Sequence, residues 1–325
     1  MPHTTKAAVL KPLEQIFPTE PTFVTDSEEL REYLSSCNLK TQLVSNNSKI
    51  ETAPENLENV VYLFTTFDYI SWPFLERSFG KSRLLLIPLA SFDPSLQAAI
   101  YTLDTIGHAD FASSTRENET ILNYLSQVTQ PFRVSGAGCE LVCELSEKIR
   151  LMKPKTEAAL LRGEWEALGM WFETAILPDE ENIFHPGHIV TGTFEATGAA
   201  VARHMQMPLV LTPTHRDAWA LITQLHEERL FPLKVEIERS RIVDVKTATG
   251  ESIRKELVQL TNERYDLALL EVAFSGNSKL SSDTLDWRIN SVVNEGARGM
   301  HIGIGDGITG AHIDLIAPNA LIEDF

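Results

Sequence analysis

The stretch Gly299-Met-His-Ile-Gly-Ile-Gly-Asp-Gly-Ile-Thr-Gly-Ala-His-Ile-Asp-Leu-Ile316 sets the reading of this chain. It holds two short apolar segments separated by glycines, each carrying ligand-type side chains. Side chains on a strand alternate with period two, so His312 and Asp314 share one face while Ile313 and Leu315 turn to the core. The glycines let the backbone reverse and bring His301 back beside that pair. Two imidazoles and a carboxylate so placed are the donors of an open transition-metal site. Imidazole suits zinc or iron, and the carboxylate adds charge and a hard oxygen.

His-x-Asp alone carries little weight. With 9 His and 45 acidic residues among 325, composition yields about one His-x-[Asp/Glu] by chance. The chain has four, the others starting at His108, His215 and His226. A buried histidine capped by an aspartate at the end of a core strand is the plain alternative. The second histidine and the glycine spacer set 312–314 apart.

Working outward, Leu267–Phe274 reads as a strand carrying Glu271, preceded by a helix over 251–265. Residues 232–245 read as a hairpin, with Val235 and Ile237 alternating before Arg239-Ser-Arg241 and Val243 and Val245 after it. Two further strands join at Gly136-Ala-Gly138 within 131–146. Between them, 155–176 reads as a helix whose Trp165, Leu168, Met170, Trp171 and Phe172 exceed what one buried face needs. Toward the N-terminus a capped helix is expected over 26–36. The runs 59–66 and 83–90 read as buried parallel strands, and 94–106 and 117–127 as helices. The fold class is α/β: a Rossmann-like domain over 1–130, then an α+β domain over 131–325 whose mixed or antiparallel sheet carries the metal-type motif. The first domain lacks a Gly-x-Gly-x-x-Gly turn and a phosphate loop, so its fold alone does not make it a nucleotide site.

A net charge of −17 excludes a general nucleic-acid or anionic-membrane partner, because phosphate binding needs clustered Lys and Arg. No apolar run has the length of a membrane helix, and the N-terminal Ala-Ala-Val-Leu stretch is too short for a signal-peptide core. The expectation is a soluble, cytoplasmic protein. Three cysteines, Cys37, Cys139 and Cys143, make no disulfide framework. Cys139 and Cys143 fall on one face of a strand about 13 Å apart, too far for a bond, and read as core residues.

From about residue 130 onward the order of elements resembles the thermophilic aminopeptidases of the aminopeptidase T type, whose superfamily includes iron-dependent 2,5-dihydroxypyridine dioxygenases. The family's Phe-Pro-Gly-Gly-Glu…Glu…Gly resembles Phe184-His185-Pro186-Gly187-His188…Glu195…Gly198. Its Pro-Ile-x-Leu-x-Val hairpin resembles 232–245. Its Glu-x-x-x-Gly-x-Asn resembles Glu271-Val-Ala-Phe-Ser-Gly-Asn277, with Ser275 at the glycine. Its His-x-Gly-x-Gly and final His-x-Asp resemble His301-Ile-Gly303-Ile-Gly305 and His312-Ile-Asp314. The resemblance implies metal ligands Glu195, Glu271, His301, His312 and Asp314, with Glu195 and Glu271 also catalytic, and a divalent metal, Fe(II) or Zn. Glu195 and Glu271 as ordinary strand carboxylates remain the alternative.

Three departures stand out. The peptidases carry a tyrosine seven residues after the first histidine, where this chain has Ile308. The connection from His301 to His312 is far shorter than theirs. The glutamate of the first motif is replaced by His188. Nearby His185, His188 and His215 are candidate replacement donors.

Three functions follow. One is aminopeptidase-like hydrolysis of a peptide or small amide by a pair of metals. A second is a mononuclear non-haem Fe(II) oxygenase acting on a small molecule through His301, His312 and Asp314. The third is a peptide-binding protein without turnover, since the peptide-binding members of crocagin-type natural-product pathways resemble this superfamily. The resemblance also implies a homodimer, and the apolar excess over 155–176 agrees with one.

Overall fold

The computed structural model describes residues 5–44, 57–146, 149–178, 187–281 and 283–323. Its strands form three sheets. The first is parallel, ordered β2-β1-β3-β4-β8, from β1 (Thr22–Thr25), β2 (Thr41–Leu43), β3 (Asn59–Leu63), β4 (Arg83–Ile87) and β8 (Trp165–Ala167). Every position of β3 is buried, which is why its sequence shows no alternation. Between β1 and β2 runs the helix Glu28–Ser36. Ser27 accepts the Leu30 N–H, and Glu28 and Glu29 sit at the positive end of the helix dipole. The helices Leu96–Ile106 and Phe111–Gln127 are capped by Ser95 and Asp110, and the second starts earlier than expected.

The second sheet is antiparallel, ordered β13-β12-β10-β6-β5-β17. It comprises β5 (Phe132–Gly136), β6 (Cys139–Leu145), β10 (His188–Ala196), β12 (Leu233–Glu238), β13 (Arg241–Lys246) and β17 (Leu321–Ile322). The third, also antiparallel, is ordered β11-β16-β15-β14-β9-β7. It comprises β7 (Arg150–Leu151), β9 (Glu173–Leu177), β11 (Gly198–Ala202), β14 (Leu269–Ser275), β15 (Gly299–Ile304) and β16 (His312–Pro318). These two sheets stack, with Val190, Phe194 and Val235 meeting Val272, Ile302 and Leu315 in one core. Cys139 and Cys143 are buried in it, as expected, and burial raises their thiols to about 11 and about 12.

The other face of the third sheet turns toward the N-terminal layer, where Ala200 and Ile316 join Phe111, Trp171, Phe172 and Val293. Covered on both sides, β15 is buried at all its positions. The edge strand β11 is protected by a side chain: Asn290 Oδ1 accepts the Val201 N–H (2.9 Å) and Asn290 Nδ2 donates to Val201 O (2.7 Å).

The expected helix over 155–176 is corrected by the structure. Residues Trp165–Ala167 are β8, Leu168–Trp171 a single 3-10 turn, and Glu173–Leu177 are β9. The helix-forming residues there are overruled by tertiary pairing. β8 extends the parallel sheet from Leu84↔Trp165 to Leu86↔Ala167, and β9 lies between β14 and β7. The first sheet therefore takes its last strand from beyond residue 131. Trp171 and Phe172 are buried within the chain, with Phe111 stacked on Phe172 at 5.6 Å. The apolar excess that spoke for a homodimer is thus absorbed internally, and that reason for one falls away. Among the described residues no helix is long and apolar enough to cross a membrane.

Candidate metal centre

Register explains why five distant ligand-type residues meet. In antiparallel sheets, residues directly opposite one another point to the same side. Glu271 on β14 lies opposite Gly303 on β15, and Gly303 opposite Asp314 on β16. His301 and His312 are each two residues before Gly303 and Asp314, hence on the same face. On the far side of β14, Glu173 of β9 is opposite Ser275, again on that face. A bulge at Leu270 lets Leu269 pair with Ile304 and turn into the sandwich core, so only Glu271 of the two faces the cluster.

The donor atoms fall into two groups. One contains Glu173, Glu271 and His301, the other Glu271, His312 and Asp314, each within 4.8 Å throughout. His301 Nε2 is 3.5 Å from Glu173 Oε2 and 3.7 Å from Glu271 Oε1. His312 Nε2 is 3.5 Å from Glu271 Oε2 and 3.0 Å from Asp314 Oδ1. Ligands about 2.1 Å from a tetrahedral ion are separated by roughly 3.4 Å, close to these spacings. Glu271 belongs to both groups, one oxygen toward each histidine.

Three observations fit a cation. First, Glu173 Oε2 and Asp314 Oδ1 are buried and accept no well-directed hydrogen bond, an expensive state for a carboxylate oxygen. Second, a Cβ on Gly303 would sit 2.7 Å from His312 Cε1, 2.9 Å from Asp314 Oδ1 and 2.9 Å from Glu271 Cβ, so only glycine leaves the cluster its space. Third, His312 Nδ1 lies 2.7 Å from Gly305 O, where it donates its proton and leaves Nε2 free to face the group. This donor set suits zinc or iron.

Electrostatics agree. Burial raises the Glu173 carboxyl to about 8, with Glu271 and Asp314 adding to the rise against His301. Burial alone would lower His301, but Glu271, Glu173 and Asp314 beside it hold it up at about 9. His312 is raised for the same reason by Asp314 and Glu271, again against burial. Burial pushes Glu271 up, yet the two histidines outweigh it and hold the carboxyl below the usual range. Glu295, at the end of the short helix Val292–Glu295, is raised well above the carboxylate range by burial and by Asp314 and Glu173. Glu173, Glu295, His301 and His312 are thus all shifted toward the protonated form, and Glu271 toward the charged one.

Of the five residues expected as ligands, the structure brings together Glu271, His301, His312 and Asp314. It does not bring Glu195. That residue lies on β10, directly opposite Lys234 of β12, on the outer side of the second sheet. Its side chain packs where a Cβ on Gly138 would be, and with Lys234, Glu236, Asp244 and Lys246 it lines an open groove of about 480 Å³. The reason is alternation: Phe194 and Ala196 are buried, so Glu195 between them faces out. The assigned ligand and catalytic role of Glu195 is corrected accordingly. His188 and His215 are buried elsewhere, His215 with Nε2 3.2 Å from Val201 O. His185 and the Phe184–Pro186 motif lie outside the described residues.

Glu173 and Glu295 were missed. Glu173 was hidden by the helical reading of 155–176; the signal against that reading was Gly163 and Gly169 inside it. Glu295 offers no motif and is found only through its proximity to Asp314.

The wild-type AmpT structure from Thermus thermophilus superposes with a TM-score of 0.51 at 13% identity, covering 96% of this chain and 93% of that one. At that identity the likeness shows the fold. A 2,5-dihydroxypyridine dioxygenase from Pseudomonas putida KT2440 covers 94% of this chain and 88% of its own at 14% identity and a TM-score of 0.43. No curated protein matches the sequence. The family model for the crocagin biosynthetic protein CgnE/B matches residues 19–323, nearly the whole chain, and the protein belongs to that family.

Proposed function

We propose that this chain binds a pair of divalent metal ions and uses them to hydrolyse a peptide or small amide in natural-product biosynthesis. The observation that carries the reading is the position of Glu271, whose carboxylate is shared by two donor groups, each completed by one histidine and one further carboxylate. Paired divalent ions supply an activated water and a clamp for a carbonyl oxygen. Glu173 and His301 would hold one ion and His312 and Asp314 the other, with Glu271 between. Gly305 O fixes the His312 ring through Nδ1, so that its Nε2 stays aimed at the site. Ala273, directly opposite His301, and Ala175, opposite Ala273, bring no competing polar group to this face.

The grouping speaks against a mononuclear two-histidine, one-carboxylate iron site. Among the described residues no donor set within 4.8 Å contains both His301 and His312. A second reading, a peptide-binding protein without turnover, draws support from Ile308, which offers no donor where the aminopeptidases carry a tyrosine. Mass spectrometry of a peptide incubated with metal-loaded protein separates the two. Hydrolysis predicts a pair of fragments whose masses sum to the peptide plus one water, formed only when no chelator is present. An intact peptide retained by fully loaded protein would replace hydrolysis with binding.

A further inference from the structure

In open parallel sheets, ligands lie in the crevice outside the carboxyl ends of the strands, where the strand order reverses. In the first sheet that point falls between β1 and β3, since the helix Glu28–Ser36 leads from β1 to β2 on one side and β3 lies on the other. The chain itself closes it. Asp26, directly after β1, accepts the Thr65 N–H and hydroxyl on Oδ1 (2.7 Å each) and the Thr66 N–H and hydroxyl on Oδ2 (2.9 and 3.1 Å). These bonds fix the loop after β3 just before Phe67, whose ring packs against Phe64 at 6.3 Å. Ala90, after β4, is tied to the same loop, its N–H donating to Phe64 O (3.0 Å).

Arg203 stands one step along this carboxyl edge, against the loops that follow β3 and β4. Its N–H donates to Ser91 O (2.9 Å), its Nε donates to Ala90 O (3.0 Å), and its guanidinium lies 4.9 Å over the Phe67 ring. The backbone and one edge of the guanidinium are thus held, while Nη1 and Nη2 have no protein partner among the described residues. Arg31, Arg241, Arg254 and Arg288 each meet a carboxylate, and Arg203 meets none among the described residues. Burial alone acts on its guanidinium and lowers it from the ordinary arginine value, whereas Arg31 and Arg288 are raised by their carboxylates. In a chain with 45 acidic residues against 28 Lys and Arg, a half-buried guanidinium without a counter-ion is an uncompensated cost.

We propose that Arg203 binds the carboxylate of a small organic acid through Nη1 and Nη2. A planar fork meets a carboxylate in two parallel hydrogen bonds, and here the Phe67 ring and Ala90 O fix the plane before anything binds. One positive charge is matched by one negative charge. The loops 64–71 and 88–95 hold Asp68 and Asp93 and no Lys or Arg, so they offer a phosphate dianion no second cation. The assignment does not depend on the metal centre.

The test uses the full chain and phenylglyoxal, which modifies free guanidinium groups at Nη1 and Nη2, with the modified arginines mapped by mass spectrometry. Saturating benzoate should slow modification of Arg203 about fivefold or more, and should leave the exposed Arg216 as fast as before. Benzamide, the same shape without the charge, should not protect. Saturation-transfer NMR gives a second reading: the transfer from protein to benzoate seen with the wild type should fall about fivefold or more in Arg203→Gln. No protection by benzoate, or equal protection by benzamide, would overturn the carboxylate site. Inorganic phosphate protecting better than benzoate would also overturn it, assigning the guanidinium to a phosphorylated ligand. If Arg203→Gln fails to fold, the protection experiment on the unaltered chain decides alone.

Discussion

Glu271 and Glu195 are the same residue type on interior strands of two stacked antiparallel sheets, and they meet opposite environments. The difference lies in what covers each sheet. The third sheet is packed on both faces, so a carboxylate there is forced among other polar groups or left unpaired. Glu271 consequently sits between His301 and His312. The outer face of the second sheet is open, and Glu195 stands there opposite Lys234 among other charged residues. A buried carboxylate beside two histidines needs a proton or a cation; one on an open sheet face needs only water. Position in the layers, more than residue type, separates ligand from surface charge.

The largest contrast should appear on neutralising each in turn. Glu271→Gln removes the carboxylate common to both groups and should lower metal affinity more than about a hundredfold, whereas Glu195→Gln should leave metal content unchanged. Equal effects, read by equilibrium dialysis against zinc, would abolish the distinction.

Gly303→Ala should come next. The added methyl would overlap His312, Asp314 and Glu271, so metal content should fall and stability drop by about 1–3 kcal/mol in denaturant melts. Normal metal loading would mean that the cluster is looser than its geometry.

A pH effect should be confined to the buried region. In the metal-free fold Glu173 keeps its proton up to about 8 and His301 up to about 9, against ordinary values of 4.5 and 6.5. The folded chain then binds more protons than the unfolded chain, so these groups lose stabilising effect as pH rises; both act in that direction between pH 6.5 and about 8, and His301 continues to about 9. The melting temperature of metal-free protein should fall over that window, and bound metal, replacing the protons, should flatten or reverse the fall. A metal-free curve that rises instead would contradict this account. Glu195→Gln should leave the slope as it is.

The smallest effect belongs to the open face. Lys234→Ala removes the residue directly opposite Glu195 and should cost about 0.2–1 kcal/mol in the same melts, with no change in bound metal. A loss of several kcal/mol would show that this face is covered by something.

Much of this contrast was legible in the sequence. Strand alternation with glycine spacing sets His301, His312 and Asp314 on one face, as the register has them, and the same alternation around Phe194 and Ala196 turns Glu195 outward. Glu173 was not legible. β9 is buried on both faces and shows no period of two, and the helix-forming residues before it conceal that they serve two different sheets. Pairing partners on β4 and β14, from 81 residues away (Leu84↔Trp165) to 102 (Ser275↔Glu173), decide that segment, and local propensity carries no record of them.

The central claim is that two donor groups share Glu271, and the number of metal ions per chain tests it most directly. Protein purified without chelator, equilibrated with zinc or with iron(II) under anaerobic conditions, and analysed by inductively coupled plasma mass spectrometry should contain about two ions per chain, one for each group. A saturated content of one would contradict the shared carboxylate, and a content of none would contradict the metal centre itself.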